Sequence, residues 1–380
     1  MRILSVFVGV PYNGADWWRV SNLAKIIHSA GHEVTLLYYC KGMPPGCGRS
    51  DMDLHEEYMV LSSPDFISSN LRLLLKGRFD LILANGDPAA LLSMMWKSKG
   101  VPVLYDMQGL VADEFVLMNN RIGMKPLLLS KLFIKKSTSA FDRSLSDRIT
   151  CVSHRMVEYL EKRGVSPERI SYVTNGVDLE RFKPVSEDTM ASVKERYNLS
   201  GKMIFGYIGG TQSYQGINQL MEAAHGVSDE HIAFLVAGGR FKAREGNILF
   251  MPFASRGDAT DYYALCDVFV LPRVNSAATQ VAAPTKFAEY SAMGKPILTS
   301  AVGDAAELVR KYSSGIVVAT NSPTDLIKGI KNVASLTSEK VEQMGRQSRL
   351  LAETEFDWAL VHVSLIDAIE KTVSRKARGR

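Results

Sequence analysis

One recurring order of segments constrains this chain more than any other feature. Residues 3–10 form a short run that is apolar almost throughout and closed by turn residues from Pro11 onward. A strand that is apolar on both faces belongs in a sheet covered on both sides. Residues 17–30 follow with helical spacing (Val20, Leu23, Ile26, Ile27) and stop at Gly31, and 33–39 form a second strand. Strand, helix and strand within about forty residues predict a βαβ unit with parallel strands.

The pattern recurs. Strands are predicted at 81–84, 102–105, 148–152 and 170–173, with helices at 88–99 and 154–162. A polar stretch follows around 178–200. A second series then begins with a strand at 203–208 that ends in Gly209 and Gly210. It continues with a helix at 217–224, a strand at 232–237, and strands at 248–250, 268–271, 296–299 and 315–318. A chain of 380 residues exceeds one comfortable core. The expected architecture is α/β: two doubly wound parallel-sheet domains facing a central cleft. The first takes residues 1–175 and is completed by a C-terminal helix at 356–373; the second takes residues 176–355. The basic tail, 374–380, is expected to be disordered. Ligands of such sheets bind beyond the carboxyl ends of the strands, so the cleft between the domains is the expected active site.

Several function classes drop out. Hydrophobic residues make up 46% and charged residues 22%, which excludes wholesale disorder. Cys40, Cys47, Cys151 and Cys266 form no CxxC pair and no zinc-ligand spacing, which fits a reducing compartment. The first apolar run is too short and lacks the cleavage site of a signal peptide, and no stretch of 18 apolar residues exists. A cytoplasmic location is therefore expected. No G-x-G-x-x-G follows residues 3–10, which argues against a nicotinamide dehydrogenase. No basic stripe is interleaved with aromatics, so nucleic acid is not an expected partner. The seven histidines have no convergent spacing. The net charge of +5 is compatible with an anionic substrate or surface.

The most informative segment runs from Ala283 through Pro284, Thr285, Lys286 and Glu289 to Gly294 and Pro296. Pro284 and Thr285 mark the start of a helix, with Thr285 as the candidate N-cap, and Gly294 marks its end. A helix N-terminus offers free N–H groups and a positive dipole end, which suit a phosphate. Lys286 adds a full charge, and Glu289 follows one turn later on the same face. A carboxylate there could accept two hydrogen bonds from a ribose diol. On spacing alone, a helix cap with a surface Lys–Glu pair is the better fit.

The segment resembles the donor-binding helix of family 4 glycosyltransferases. Further motifs resemble that family in the same order: Gly31 to Thr35; Ser153 and the helix after it; Val173 to Asp178 with Arg181 to Pro184; Phe205 to Gly210 with Gly216 to Leu220; Tyr262 to Pro272; and Glu355 to Trp358. The resemblance covers nearly the whole chain. It implies a GT-B-like fold of two Rossmann-like domains and retaining transfer of a sugar from a nucleotide diphosphate sugar to an acceptor hydroxyl. It implies no cofactor and no metal, since protein cations and N–H groups neutralise the leaving diphosphate. Glu289 matches the second Glu of the family's E-x7-E motif, the usual ribose partner. The donor-binding set so implied is Glu289, Thr285, Pro284, Ala283, Gly209, Gly210 and Phe253.

Three departures stand out. Val281 falls where the first Glu of E-x7-E belongs. Gly210 and Gln215 fall where the family often carries Arg and Lys that grip the diphosphate. Arg273 and Lys286 are candidates for the replacement charge and, with it, for transition-state stabilisation. Gln108 stands where related enzymes often place a His. Asp106 and Glu114 are the weaker candidates for a base, and Asp106 suits the cap of the following turn somewhat better.

The loop after the first strand should face the cleft, and Gly14, Trp18, Arg19 and Gln108 form the expected acceptor side, with at least one of Trp17 and Trp18 in the core. Residues 121–136 mix five basic residues with apolar ones and no acid. That stretch suits either an anionic membrane surface near a lipid-linked acceptor or a helix with a solvated basic rim. The expected partners are a nucleotide-sugar donor, a saccharide or lipid-linked acceptor and peripheral anionic membrane. The expected role is cell-surface polysaccharide or glycolipid assembly. The alternative is a nucleotide-sugar-binding protein that has lost transfer, since Val281 and Gln108 both depart from the pattern while Lys286 and Glu289 remain. A nonhydrolysing epimerase of the same fold would need acids around the donor sugar, which Val281 argues against.

Overall fold

The computed structural model describes residues 1–9, 14–40, 55–60, 77–119, 143, 145–239, 242–252 and 259–378. The chain divides into two compact units: residues 1–174 with 359–380, and residues 175–358.

Unit 1 is built on a parallel sheet of β1 (Arg2–Val8), β2 (Glu33–Cys40), β3 (His55–Val60), β4 (Leu81–Asn85), β5 (Val103–Met107), β6 (Arg148–Cys151) and β7 (Ile170–Tyr172). The strand order is β3-β2-β1-β4-β5-β6-β7. The described helices are α1 (Gly14–Ser29), α2 (Asp87–Lys97), α3 (Val111–Asn119), α4 (His154–Glu161) and, near the end of the chain, α13 (Trp358–Arg378). β4 and β5 are buried at every position, which is why they read as continuous apolar runs. Ser153 caps α4 by accepting the Met156 N–H at 3.0 Å. Trp17 is a core residue, tilted against Phe7 at 6.0 Å and edge-on to Tyr38 at 5.9 Å.

Unit 2 has β8 (Met203–Ile208), β9 (Ile232–Gly239), β10 (Ala243–Glu245), β11 (Ile248–Pro252), β12 (Val268–Leu271), β13 (Ile297–Ser300) and β14 (Gly315–Val318). Their order is β10-β11-β9-β8-β12-β13-β14, parallel except for the edge strand β10. Its helices are α5 (Glu187–Arg196), α6 (Ile217–His225), α7 (Ala259–Leu265), α8 (Ala277–Val281), α9 (Thr285–Ala292), α10 (Gly303–Tyr312), α11 (Pro323–Ala334) and α12 (Ser338–Glu355). Phe269 of β12 stacks on Tyr290 of α9 at 4.3 Å with 8° between the rings. Such a pair contributes about 1 kcal/mol beyond its buried area.

Some local expectations need correction. β3 and β10 were not foreseen, because β3 opens on His55, Glu56 and Glu57 and β10 is wholly exposed, so neither shows an apolar run. The polar stretch 178–200 contains α5, capped by Ser186, with Val193 as its buried residue. The expected disordered tail is helical as far as Arg378. Its Lys, Arg and Ala residues favour helix, and Arg375 reaches Glu168 at 3.8 Å.

Candidate functional site

In unit 2 the chain winds outward from β8 in both directions, to β9 on one side and to β12 on the other. The loops beyond the carboxyl ends of β8 and β12 therefore diverge, leaving a crevice at the point where ligands of doubly wound sheets bind. Gly209 and Gly210 follow β8, and Arg273 follows β12.

Helix α9 is fastened to this point by Tyr290. Its hydroxyl accepts from the Ile208 N–H at 2.7 Å and donates to the Ile208 carbonyl at 2.9 Å. That attachment brings Lys286, in the first turn of α9, to the glycine loop. The Lys286 amine donates to the Tyr207 hydroxyl at 2.5 Å and to Gln215 Oε1 at 3.1 Å. It also lies 4.4 Å from the centroid of the Tyr207 ring. The Tyr207 hydroxyl in turn donates to the Gly210 carbonyl at 2.5 Å. Lys286 is 8% exposed and Arg273 5%. Burial, then the charge of Arg273, push the Lys286 ammonium down to about 7, with Glu289 offsetting part of the effect. Lys286 is thus a buried amine whose bonds go to neutral oxygens beside a second buried cation. Such an arrangement favours an anion as its missing partner.

Glycine is required at Gly209, where φ is +148° and a Cβ would sit 2.7 Å from Lys286 Nζ. It is required again at Gly238, with φ +137°, where a Cβ would sit 1.9 Å from the Gly209 carbonyl oxygen.

Glu289, one turn beyond Lys286, is half-buried and accepts a short hydrogen bond from the Tyr263 hydroxyl of α7. Tyr263 is itself buried against Phe182, Phe269 and Tyr290. Burial first, then the Glu289 carboxylate, hold its phenol well above the usual range. The carboxylate is thereby held from a rigid support.

The remaining donor-side candidates fall as follows. Pro284, not Thr285, is the N-cap of α9; it is extended at ψ 123° and makes no side-chain cap bond. Thr285 is the first helical residue and half-buried. The Ala283 carbonyl accepts from Asn175 Nδ2 at 2.7 Å. Val281 is 4% exposed at the end of α8. Phe253 lies outside the described residues, as do residues 121–136 and the loop residues 10–13.

In unit 1 the geometry gives Asp106 and Arg19 a different role from the expected one. Arg19 Nη2 meets Asp106 Oδ1 at 2.7 Å and Arg19 Nε meets Oδ2 at 2.9 Å. Thr150 Oγ1 donates to Oδ1 at 2.7 Å, and Gln108 Nε2 donates to Oδ2 at 3.0 Å. The guanidinium also donates to the Val173 and Thr174 carbonyls, each at 2.9 Å. Asp106 is fully buried. Burial alone would raise its carboxyl, but the Arg19 charge and the hydrogen bonds from Arg19, Thr150 and Gln108 outweigh it and hold it below the usual range. A carboxylate so saturated and so acidic is a poor base, so Asp106 and Arg19 form an internal strut. Gln108 is half-buried with its amide committed to the same strut. Trp18 is half-buried, its carbonyl accepting from Asn22 Nδ2 at 2.7 Å, and Gly14 opens α1. The Glu114 carboxylate lies against Gly109.

Tyr207, Tyr263, Tyr290 and Asn175 were not singled out from sequence. A hydroxyl-bearing tyrosine among the otherwise non-polar residues of β8 was a readable signal for Tyr207. Among the described residues no group of three His, Cys, Asp or Glu could hold a metal ion, and no helix is long and apolar enough to cross a membrane.

Comparison with known proteins bears on both halves. Residues 18–181 match the model of Glycosyltransferase Family 4, and residues 202–335 match that of Glycosyl transferases group 1. The chain is 26% identical to spore coat protein SA of Bacillus subtilis over 225 residues, 52% of this chain and 58% of that protein. It is 25% identical to the putative teichuronic acid biosynthesis glycosyltransferase TuaH of the same organism over 292 residues, 72% of this chain and 70% of that one. The chain thus spans 58% of the first of these relatives, less than two thirds of its length. Its fold is similar to that of HepE from Anabaena, solved in complex with UDP, at TM-score 0.75 and 15% identity over 97% of this chain and 100% of that one. With a matching model on each unit and this fold, the chain belongs to the family 4-like, group 1 glycosyltransferases of the GT-B fold.

Proposed function

We propose that the protein is a retaining glycosyltransferase that moves a sugar from a nucleotide diphosphate sugar to an acceptor hydroxyl. The observation that carries this reading is the buried Lys286 amine beside Arg273 at the switch point of unit 2, bonded only to neutral oxygens in its hydrogen bonds to Tyr207 and Gln215. Negative charge grows on the diphosphate as the sugar departs. Two buried cations at that point stabilise the growing charge more than the ground state, which lowers the barrier. On this reading they serve in place of a metal ion. Glu289, steadied by Tyr263, receives the ribose hydroxyls one helical turn away. The UDP bound by the similarly folded HepE supports a nucleotide diphosphate ligand, and the relative TuaH supports a role in assembling cell-surface polysaccharide.

Retention without a protein base agrees with the strut geometry of Asp106, because a donor phosphate oxygen can accept the acceptor's proton. The acceptor side is assigned to unit 1, and a peripheral, cytoplasmic-face location suits a lipid-linked acceptor. A nucleotide-sugar-binding protein without transfer is the competing reading, favoured by the buried Val281 at the motif position of a Glu.

The test is thermal stabilisation by UDP-, GDP-, ADP- and CDP-sugars, followed by turnover with an acceptor. A ligand that binds only the folded state raises the melting temperature. A shift with one nucleotide class that disappears in Glu289→Ala supports the site. Binding without turnover supports the competing reading, and no shift with any member of the panel refutes both.

A further inference from the structure

The residues at the two positions where the family's usual cations are missing are both wired to Lys286. The Gly210 carbonyl accepts from the Tyr207 hydroxyl, whose oxygen accepts from Lys286; Gln215 Oε1 accepts from Lys286 directly. We propose that Tyr207 and Gln215 are positioning residues that hold the Lys286 ammonium over the glycine loop, so that the diphosphate's cation is delivered by α9 through a two-point cradle. The inference rests on the nucleotide diphosphate reading above and deepens it.

The physical case has three parts. First, a lysine side chain has four rotatable bonds and loses substantial entropy when fixed. Two acceptors in different elements, Tyr207 in β8 and Gln215 in the turn before α6, fix its end without neutralising it. A carboxylate in either place would compete with the anion, whereas a phenol oxygen and an amide oxygen favour the charged form and leave its charge to be used. Second, the cradle is buried: Tyr207 is 0% exposed and Gln215 9%. Third, the same hydroxyl ties the amine to the loop backbone. Its proton goes to the Gly210 carbonyl, so its lone pairs face Lys286 and the hydroxyl has one orientation. Gly209 completes the fit, since a Cβ there would lie 2.7 Å from Nζ.

The charged and titratable groups facing Lys286 are Tyr207 from β8, Arg273 from the loop after β12, and Glu289 from α9 itself. Tyr207 is buried, and its phenol is pushed well above its ordinary value by that burial, so it remains protonated. Arg273 disfavours the ammonium and Glu289 favours it. Removing the Tyr207 oxygen removes an acceptor for the ammonium, so the pH at which Lys286 loses its proton must fall.

The experiment is calorimetric titration of the full chain and of Tyr207→Phe with UDP, ADP, GDP and CDP and with their monophosphates, repeated from pH 6 to about 9. Loss of a hydrogen bond to a charged group predicts an affinity for the binding diphosphate that is weaker by about tenfold. The monophosphate of the same base should weaken much less, and the midpoint of the diphosphate pH profile should move to lower pH. Gln215→Leu is the second variant and is expected to act in the same direction. A purely structural role for the cradle would lower both affinities together and leave the midpoint in place, which overturns the proposal. Wild-type diphosphate affinity in both variants overturns it as well. No binding by the unaltered protein overturns the proposed function and this inference with it.

Discussion

Asp106→Asn separates a strut from a catalytic base. In the folded chain the Asp106 carboxylate is fully buried and holds Arg19 at 2.7 and 2.9 Å, with Thr150 and Gln108 as further donors. Asparagine keeps the shape but removes the charge, and it turns an amide donor toward a guanidinium that can only donate. Breaking one partner of a buried ion pair costs about 3–5 kcal/mol, because the other charge stays buried without compensation. The Val173 and Thr174 carbonyls still accept from Arg19, which places the expected loss at the lower end of that range. For a unit of roughly 200 residues each kcal/mol lowers the melting temperature by about 2–4 °C, so a fall of about 6 °C or more is expected. Thermal unfolding followed by circular dichroism measures it. The folded carboxyl titrates below its unfolded value. Its contribution is therefore present in full above about pH 4 and fades as the pH falls through the depressed folded value, so the two proteins should converge in acid. Below its melting temperature the variant should keep most of its turnover. A variant as stable as the parent but slowed by orders of magnitude would refute the strut and restore Asp106 as a base.

Three further outcomes follow from unit 2. Lys286→Met should remove the pH dependence of diphosphate affinity. In the parent, affinity is expected to decline as the pH rises above about 7, where the free lysine loses its charge; a flat parental profile would contradict the assignment. Glu289→Ala should abolish the thermal shift by the binding nucleotide sugar, whereas Tyr263→Phe should reduce it while leaving Glu289 in place; an unchanged shift in the alanine variant would remove the ribose assignment. Gly209→Ala places a Cβ on the Lys286 amine at a backbone φ of +148°, so it should cost about 1–3 kcal/mol of stability and weaken diphosphate binding together. Parental affinity in a variant of undiminished stability would argue against that packing.

The alternation of buried strands and helices was legible because a parallel sheet covered on both faces requires apolar runs of strand length, and β8, β12 and β14 fall on the predicted residues. Elements outside that rule were not legible. β3 and β10 lie at sheet edges, where charge replaces apolar patterning, and α5 buries little. The helix bearing Lys286 and Glu289 was legible too, since Pro284 and Gly294 punctuate it and its charges are spaced for one face.

Only the tertiary structure decided what those charges touch. Lys286 and Tyr207 are 79 residues apart in the chain, and so are not linked by any local pattern. The same holds for Arg19 and Asp106, 87 residues apart, whose pairing converts two candidate functional groups into an internal support. Local sequence determines period, caps and turns, because these depend on neighbours within a few residues. The state of a buried charge depends on its partners, and the winding of the sheet chooses them from distant parts of the chain.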